Sequence, residues 1–232
     1  MLILTIDTSG KTVSAALIDE KCILARIGLD LGKTHSQKLL PLVDSLLNLA
    51  ERSLSDLSAV AVTVGPGSFT GLRIGLATVK AWAQALSLPI VGIGTLESAA
   101  KAAVDEGYVC PILDARKNQV YCALFQDGRQ LWEPDALTPQ ELAEKLSHLN
   151  TPIIFCGDAV GVYDKVFADI LQGNFRLAAE DKRFFLAEGA ALLARERYLQ
   201  NDILTPEEIE PFYLRRSEAE VKRMAAEDKG QA

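Results

Sequence analysis

The sequence predicts an α/β protein built from two similar lobes, the first over residues 1–105 and the second over residues 106–215. Runs of β-branched residues alternate with amphipathic helical stretches, which is typical of mixed sheets flanked by helices. A segment near the start of the chain recurs in its second half. The chain has 232 residues, 49% of them hydrophobic, which is enough for two small cores and excludes a disordered or coiled-coil protein.

The first lobe opens with three strands, predicted over 2–7, 13–18 and 22–27. Short polar turns separate these strands, so we expect an antiparallel meander. A helix over 36–50 follows, because its leucines and valine recur at helical spacing behind the capping residue Ser36.

Residues 59–64 form a continuous apolar run that is typical of a buried central strand, and a Gly65-Pro66-Gly67 turn ends it. The helix predicted over 70–86 is apolar on nearly every side and carries small residues about one turn apart. Such a helix covers a sheet on one side and lets another backbone approach closely on the other. A strand over 89–93 and a helix over 97–104 complete the lobe.

The second lobe resembles a weak copy of the first. Residues 6–17 align without gaps with residues 113–124, and an Asp, a Val, an Ala and a Leu repeat in register. Each copy places an Asp at the end of a strand, Asp7 in the first and Asp114 in the second. The further predicted elements are strands over 109–113 and 152–156, helices over 139–149 and 184–199, and a charged tail over 216–232 that we expect to fray.

The charge and hydropathy of the chain exclude several functions. The net charge is −7, whereas a protein that grips nucleic acid by itself clusters Lys and Arg, so we expect no unaided binding to RNA. No apolar run is long enough to cross a membrane. The N-terminus has no basic region before Asp7, which predicts a strand instead of a signal peptide and hence a cytoplasmic protein.

The four cysteines lie far apart without metal-binding spacing. We expect them to be buried, reduced and inert, the alternatives being a zinc site or a disulfide framework. They are Cys22, Cys110, Cys122 and Cys156.

The first candidate site is Asp7-Thr8-Ser9, where a predicted strand turns back. A carboxylate and two hydroxyls beside exposed turn amides could hold a metal–phosphate group. The alternative is a turn capped by its own side chains.

The second candidate is the Gly65–Gly71 segment, a glycine-rich turn from a strand into a helix. Such a turn presents free amides and the positive end of the helix dipole to an anion. The segment lacks the Gly-Lys-Ser/Thr ending of a phosphate loop and does not match G-x-S-x-G, so a purely structural turn is the favoured interpretation.

The other polar residues predict no catalytic group. His35 and His148 have no acidic or cysteine partner at ligand spacing, so we expect both to be solvated. Asp114, Arg116 and Lys117 could form a small polar site, although a solvated turn is the simpler interpretation. We therefore predict neither catalytic residues nor a metal site.

Several blocks of the sequence together resemble the TsaB (YeaZ) family over residues 1 to about 215. The most characteristic block is Gly-Pro-Gly-Ser-Phe-Thr-Gly-Leu-Arg at 65–73. The others are Ile6-Asp7-Thr8-Ser9, His35-Ser36-Gln37, Leu113-Asp114-Ala115-Arg116 and Pro211-Phe212-Tyr213-Leu214-Arg215. The resemblance implies two lobes of the actin-like, Hsp70-like, sugar-kinase-like ATPase fold.

The family is similar to the larger TsaD enzymes, which bind a metal through an H-x-x-x-H pair. The corresponding positions here hold Thr95 and Ala99. Neither residue replaces an imidazole as a transition-metal ligand, so the resemblance implies that the catalytic metal site is missing.

The resemblance implies a supporting role for this chain. TsaB-like proteins join a TsaD enzyme and a TsaE ATPase in moving a threonylcarbamoyl group from its adenylate onto N6 of adenosine 37, in tRNAs that read codons starting with A. The chain would activate the enzyme and reach tRNA only indirectly, through the complex. No cofactor would be tightly bound, and ATP or ADP would bind, if at all, at an interface shared by the subunits.

The family's partner surface corresponds to the helices at 36–50 and 70–86. In isolation the same surface would pair with a second copy, so homodimer and heterodimer would compete. The residues predicted for this surface are Leu39, Leu42, Val43, Leu46, Gly71, Gly75, Ala77 and Ala81.

Two alternative functions remain open at this stage. Asp7-Thr8-Ser9 and the repeated Asp114 would suit an independent ATPase or small-molecule kinase on the same fold. A peptidase would need a nucleophile and a base, and the sequence shows no such pair around Ser68.

Overall fold

The computed structural model describes residues 1–30, 35–103, 106–149, 151–179 and 186–215. The predicted tail at 216–232 and the start of the helix predicted at 184–199 lie outside the described residues. Within the described part of the chain, no helix is both long and apolar enough to cross a membrane.

The first sheet has five strands in the order β3-β2-β1-β4-β5. Strands β1, β2 and β3 pair antiparallel, whereas β1, β4 and β5 pair parallel. The strands are β1 (Leu2–Asp7), β2 (Val13–Asp19), β3 (Ile23–Leu29), β4 (Ala59–Gly65) and β5 (Ile90–Gly94). The helices of this half of the chain are α1 (His35–Leu49), α2 (Phe69–Leu86) and α3 (Thr95–Ala103), and a 3₁₀ turn spans Leu54–Asp56.

The second sheet repeats this topology in the order β10-β9-β6-β7-β8. Its strands are β6 (Tyr108–Arg116), β7 (Gln119–Gln126), β8 (Arg129–Leu137), β9 (Ile153–Cys156) and β10 (Phe175–Leu177). Its helices are α4 (Pro139–Ser147) and α5 (Val160–Leu171), and α6 (Ala187–Leu199) follows. Two mixed sheets flanked by helices confirm the predicted fold class. Helix α5 and strand β10 were missed by the sequence analysis.

The elements stack in layers with two central helices between the sheets. Helices α1 and α2 cover the outer face of the first sheet, and α4 and α5 cover the outer face of the second. Between the sheets, α3 packs on the second sheet and α6 packs on the first. Each lobe therefore receives a central helix that follows the other lobe in the chain.

This exchange corrects the predicted domain boundaries, which placed all of 106–215 in the second lobe. The alanine-rich face of α6 packs against Ile3, Ala61 and Ile93 of the first sheet. The chain beyond α6 stays with that lobe, since Ile90 and Leu204 exchange backbone hydrogen bonds of 2.9 and 2.7 Å. The pattern within a helix shows which of its faces is apolar but not which of two similar sheets that face covers.

The two central helices cross with almost no space between them. A Cβ built on Gly189 of α6 would clash with the carbonyl oxygen of Ser98 in α3 and approach the amide of Ala102. The Ser98 hydroxyl also donates to the Leu186 carbonyl at 2.6 Å. Glycine at position 189 thus lets the two helices meet backbone to backbone.

The cysteines agree with the prediction at three positions and contradict it at the fourth. Cys110, Cys122 and Cys156 are buried thiols, and burial raises their pKa values, in Cys122 to about 12. Cys22 is exposed instead, because it lies in the turn before β3, where its amide donates to the Asp19 carboxylate at 2.8 Å.

The α3–α6 crossing predicts that Gly189→Ala destabilises the protein. The added methyl group must displace backbone, which costs about 2 kcal/mol and lowers Tm by roughly 4–8 °C. Thermal melts followed by circular dichroism measure this. The matched control is Gly161→Ala in α5, where a Cβ meets nothing within 4 Å, so its Tm should stay level or rise. Equal melting of the two variants would contradict the close crossing.

Candidate functional site

The turn after β1 is built around the buried carboxylate of Asp7. Its Oδ1 accepts three hydrogen bonds, from the Ser9 amide at 3.1 Å, the Ser9 hydroxyl at 2.6 Å and the Thr63 hydroxyl at 2.6 Å. The side chain is fully buried, and Oδ2 has no hydrogen-bond partner. Asp7 therefore joins the end of β1 to the neighbouring strand β4.

Burial sets the protonation behaviour of this group. Loss of hydration raises the pKa of Asp7 above its usual range, because the charged form is the one that burial disfavours. The hydrogen bonds from Ser9 and Thr63 and the nearby charge of His35 oppose that rise in the pKa only in part.

Helix α2 starts in direct contact with the same turn. The Ser68 amide donates to the Ser9 carbonyl at 2.7 Å, and the Thr8 hydroxyl donates to the Gly71 carbonyl at 2.7 Å. The Gly71 amide in turn donates to the Ser68 hydroxyl at 3.2 Å, so Ser68 caps the helix. A Cβ on Gly71 or on Gly75 would collide with Thr8.

These contacts favour the structural alternative for both candidate motifs. Asp7, Thr8 and Ser9 are almost completely buried, and their hydroxyls bind the protein itself. The Ser68 amide, which a phosphate would need, already donates to Ser9. The arrangement is a capped turn packed against a capped helix.

The C-terminal Phe212-Tyr213 pair closes the other side of the glycine-rich turn. The Phe212 amide donates to the Val64 carbonyl at 2.7 Å, and the Tyr213 ring stacks on Phe69 with the centroids 4.5 Å apart. The Arg73 guanidinium lies 3.9 Å from the Phe69 ring centroid, and its Nε donates to the Tyr213 hydroxyl at 3.1 Å. Motifs more than 130 residues apart in the sequence thus form one cluster.

Across the cleft between the lobes, the repeated Asp114 meets a residue that the sequence analysis missed. The Asp114 amide donates to Asp158 Oδ1 at 2.9 Å, and Lys11 Nζ lies 3.9 Å from Asp114 Oδ2. Burial, with smaller contributions from the charges of Asp114 and Asp7, raises the pKa of Asp158. The sequence could have indicated Asp158, because this residue directly follows β9 and Gly157, and β9 corresponds in the repeat to β4, which ends at Gly65.

The two histidines lie on different elements from Thr95 and Ala99, the positions that correspond to the H-x-x-x-H metal pair. His35 Nε2 is 2.9 Å from the Gly10 carbonyl oxygen and half-buried, so it is less solvated than predicted, and exposed His148 caps the end of α4. Thr95 and Ala99 are buried in α3. Among the described residues, no group of three or more His, Cys, Asp or Glu side chains could hold a metal ion.

Six of the eight predicted partner-surface residues point inward, which corrects that prediction. The four on α1 belong to the core of the first lobe, with exposed fractions of 1–3%, because the apolar stripe of α1 covers its own sheet. Gly71 and Gly75 are buried against Thr8. The inward-pointing α1 residues are Leu39, Leu42, Val43 and Leu46.

The outer faces of the same helices do reach solvent. Ala77 and Ala81 are exposed on α2, in line with Arg73 and Ala85. On α1, the exposed fraction of Leu40 is 55%. We name the exposed residues of this face the outer helix face: Leu40 of α1 with Arg73, Ala77, Ala81 and Ala85 of α2.

Comparison with known proteins places this architecture in a family. Residues 30–223 match the family model TsaD: tRNA N6-adenosine threonylcarbamoyltransferase. The tRNA threonylcarbamoyladenosine biosynthesis protein TsaB of Bacillus subtilis is 34% identical over 96% of this chain and 97% of its own length. The TsaB protein of Escherichia coli is 31% identical over 94% of this chain and 96% of its own length.

Solved structures agree with this placement. YeaZ from Pseudomonas aeruginosa has a TM-score of 0.75 at 28% identity over 92% of this chain and 99% of its own. A second Pseudomonas aeruginosa structure, described as similar to the peptidase YEAZ, has the same TM-score at 27% identity and the same coverage. A ROK hexokinase from Thermus thermophilus, at 13% identity and a TM-score of 0.50, covers 84% of this chain and 100% of its own and shows the sugar-kinase-like fold alone.

The raised pKa of Asp7 predicts a pH-dependent stability that Asp7→Asn removes. The protonated carboxyl makes its full contribution to stability below its unfolded pKa, which is near the ordinary value of 3.8, and this contribution is lost as the pH rises through the raised folded pKa. The unfolding free energy of the wild type should therefore fall relative to that of the Asp7→Asn variant, by about 1.4 kcal/mol for each unit by which the pKa is raised.

Denaturant unfolding of both proteins between about pH 4 and pH 8 measures the difference. Because the charge of Asp7 contributes to the raised pKa of Asp158, both proteins are compared in an Asp158→Asn background. A wild-type-minus-variant difference that stays constant over this range would contradict the buried, desolvated carboxyl.

Proposed function

The chain belongs to the TsaB (YeaZ) family, and from this membership we propose that it takes part in tRNA threonylcarbamoyladenosine synthesis as a non-catalytic subunit that activates a TsaD-like enzyme. The observation that carries the proposal is the geometry of α2. Its inner face is closed against Thr8, whereas its outer face leaves small residues open to a partner.

The closed motifs support an accessory role. The Ser68 amide and the Ser9 hydroxyl, two groups that a phosphate could bind, are bonded to the protein itself, and Asp7 is fully buried. The Ser68 hydroxyl, which a peptidase would need, accepts a hydrogen bond from the Gly71 amide as a helix cap. In the proposed function, the TsaD-like enzyme supplies the metal and the reacting groups for transfer to N6 of adenosine 37.

The outer helix face is the proposed contact with the enzyme. Alanines at 77, 81 and 85 let a partner helix approach α2 closely, and Leu40 of α1 adds apolar area. A stable, specific contact of standard size would bury about 1,600 Å² in total. A second copy of this chain would compete for the same face, so we propose a homodimer in isolation.

The remaining subunits complete the proposal. A TsaE-like ATPase joins the complex, and any nucleotide is held at an interface shared between subunits. The burial of Asp7, Thr8 and Ser9, whose hydroxyls bind the protein itself, supports a site shared between subunits over one in this chain alone. The cytoplasm is the proposed location, since the tRNA substrate is there.

A carboxylate added to the outer helix face should strongly weaken binding to the enzyme. Ala77→Glu or Ala81→Glu places an unpaired carboxylate in a close-packed seam, which costs about 3 kcal/mol or more and weakens binding over 100-fold. Both alanines are exposed in the free chain, so the variants should fold normally. Size-exclusion chromatography and calorimetric titration against the TsaD-like protein of the same organism measure the effect.

The matched control is Ala168→Glu, which adds the same charge to an exposed position of α5 and should bind like the wild type. Equal binding by all three variants would contradict the contact. Normal levels of the modified nucleoside in cells depleted of the chain would contradict the proposed function itself. Steady ATP hydrolysis by the purified chain, lost in Asp7→Ala, would favour an independent ATPase instead.

A further inference from the structure

Helix α2 carries positive charge only. It contains Arg73 and Lys80 and no acidic residue, in a chain whose net charge is −7. Arg73 is exposed and Lys80 is half-buried. The two cations are seven positions apart, which is about two helical turns, so they lie on one side of α2 together with Ala77 and Ala81. The outer helix face therefore combines small residues that allow close packing with positive charge.

The Arg73 side chain is held in place by two aromatic residues. Its guanidinium lies 3.9 Å from the centroid of the Phe69 ring, and its Nε donates to the Tyr213 hydroxyl at 3.1 Å. The Phe69 and Tyr213 rings stack on each other, so the two supports of Arg73 also fix one another. The guanidinium is thus ordered before any partner binds.

The end of this side chain is left for a partner. In the described part of the chain, Nη1 and Nη2 of Arg73 make neither a hydrogen bond nor an ion pair. The two nitrogens form a planar fork that matches the two oxygens of a carboxylate. Because Arg73 is exposed, a carboxylate on a docked protein can reach this fork.

A second copy of the chain is a poor source of that carboxylate. A two-fold pairing sets the same surface of both copies face to face. Helices α1 and α2 together contain three cations, Lys38, Arg73 and Lys80, and one carboxylate, that of Asp44. Pairing of two copies therefore opposes two positively charged surfaces, and like charges weaken such a contact.

We infer that Arg73 forms an ion pair with a carboxylate of the TsaD-like enzyme docked on the outer helix face, and that this pair favours the enzyme over a second copy of the chain. The partner surface is then a helix that packs against Ala77 and Ala81 and carries an Asp or Glu opposite Arg73. An arginine held by Phe69 and Tyr213 loses little side-chain entropy on binding, and arginine is enriched among the residues that dominate interface energies. The inference rests on the proposed function and refines it, since it names the chemistry of the partner surface.

The first test compares binding to the enzyme with pairing of two copies. The full chain is titrated calorimetrically against the TsaD-like enzyme of the same organism, and sedimentation equilibrium measures the homodimer. The variant is Arg73→Gln, which removes the charge but keeps most of the side chain's length. The matched control is Arg129→Gln, which makes the same change at an exposed position in β8 of the second lobe.

The Arg73→Gln variant should bind the enzyme at least about 10-fold more weakly, because its loss leaves the partner's carboxylate unpaired in the interface, whereas its homodimer should change by less than about 2-fold. The control should match the wild type in both measurements. Equal enzyme affinity of the two variants would overturn the inference. An equal loss of enzyme binding and of homodimer would also overturn it, because Arg73 would then select neither partner.

The second test identifies the carboxylate directly. Arg73→Lys places a primary amine on the outer helix face, and a water-soluble carbodiimide joins such an amine to a carboxylate at ion-pair distance through an amide bond. Mass spectrometry of the digested complex should find position 73 linked to an Asp or Glu of the enzyme, whereas the control Arg129→Lys should show no link to it. A link from position 73 to Asp44 of a second copy alone, or no link at all, would overturn the inference. This readout reports proximity, so it decides the question even where Arg73→Gln lowers stability.

Binding of the wild-type chain to the enzyme is measured first, so the two proposals fail in different ways. A wild-type chain that does not bind the enzyme contradicts the proposed function and the inference with it. A wild-type chain that binds, with Arg73→Gln binding equally well, contradicts the inference alone.

Discussion

The contact between helix α2 and the turn after β1 is the constraint on which the candidate site depends. The backbone of Gly71 meets that of Thr8, and Gly75 lies against the Thr8 hydroxyl, so a side chain at either position would collide with Thr8. That contact pairs the Ser68 amide with the Ser9 carbonyl and turns Ala77 and Ala81 outward. One packing requirement thus closes a turn that looks suited to phosphate and at the same time creates the face proposed to bind a partner. The close contacts at its glycines are explained by this packing.

The buried Asp7 shows the cost of that arrangement. Its carboxylate joins β1 to β4 through Ser9 and Thr63, yet Oδ2 has no partner in the interior. A buried, half-satisfied carboxyl destabilises a fold when it is charged, which is why its pKa is raised. In many enzymes an acid with a raised pKa marks the reactive centre. Here the same property belongs to a fully buried group that connects two strands.

The exchange of central helices makes the two lobes interdependent. Helix α3 follows the first lobe but packs on the second sheet, and α6 does the reverse. Their close crossing at Gly189 fixes the lobes against each other. The ends of β1 and β6 therefore face one cleft, where Lys11 meets Asp114 and the chain near Arg215 reaches the β6–β7 turn.

The sequence by itself determined the two-lobed α/β architecture, the internal repeat and the family, since these follow from hydrophobic period, turn residues and a long motif. In the first lobe it also placed the strands and helices to within two residues. Only the tertiary structure decided that Leu39 and Leu46 serve their own core, that α6 covers the first sheet, and that Asp158 and Arg215 border one cleft. A pattern records which face of an element is apolar or charged. It cannot record which of several surfaces that face meets, because that choice depends on packing between residues far apart in the chain.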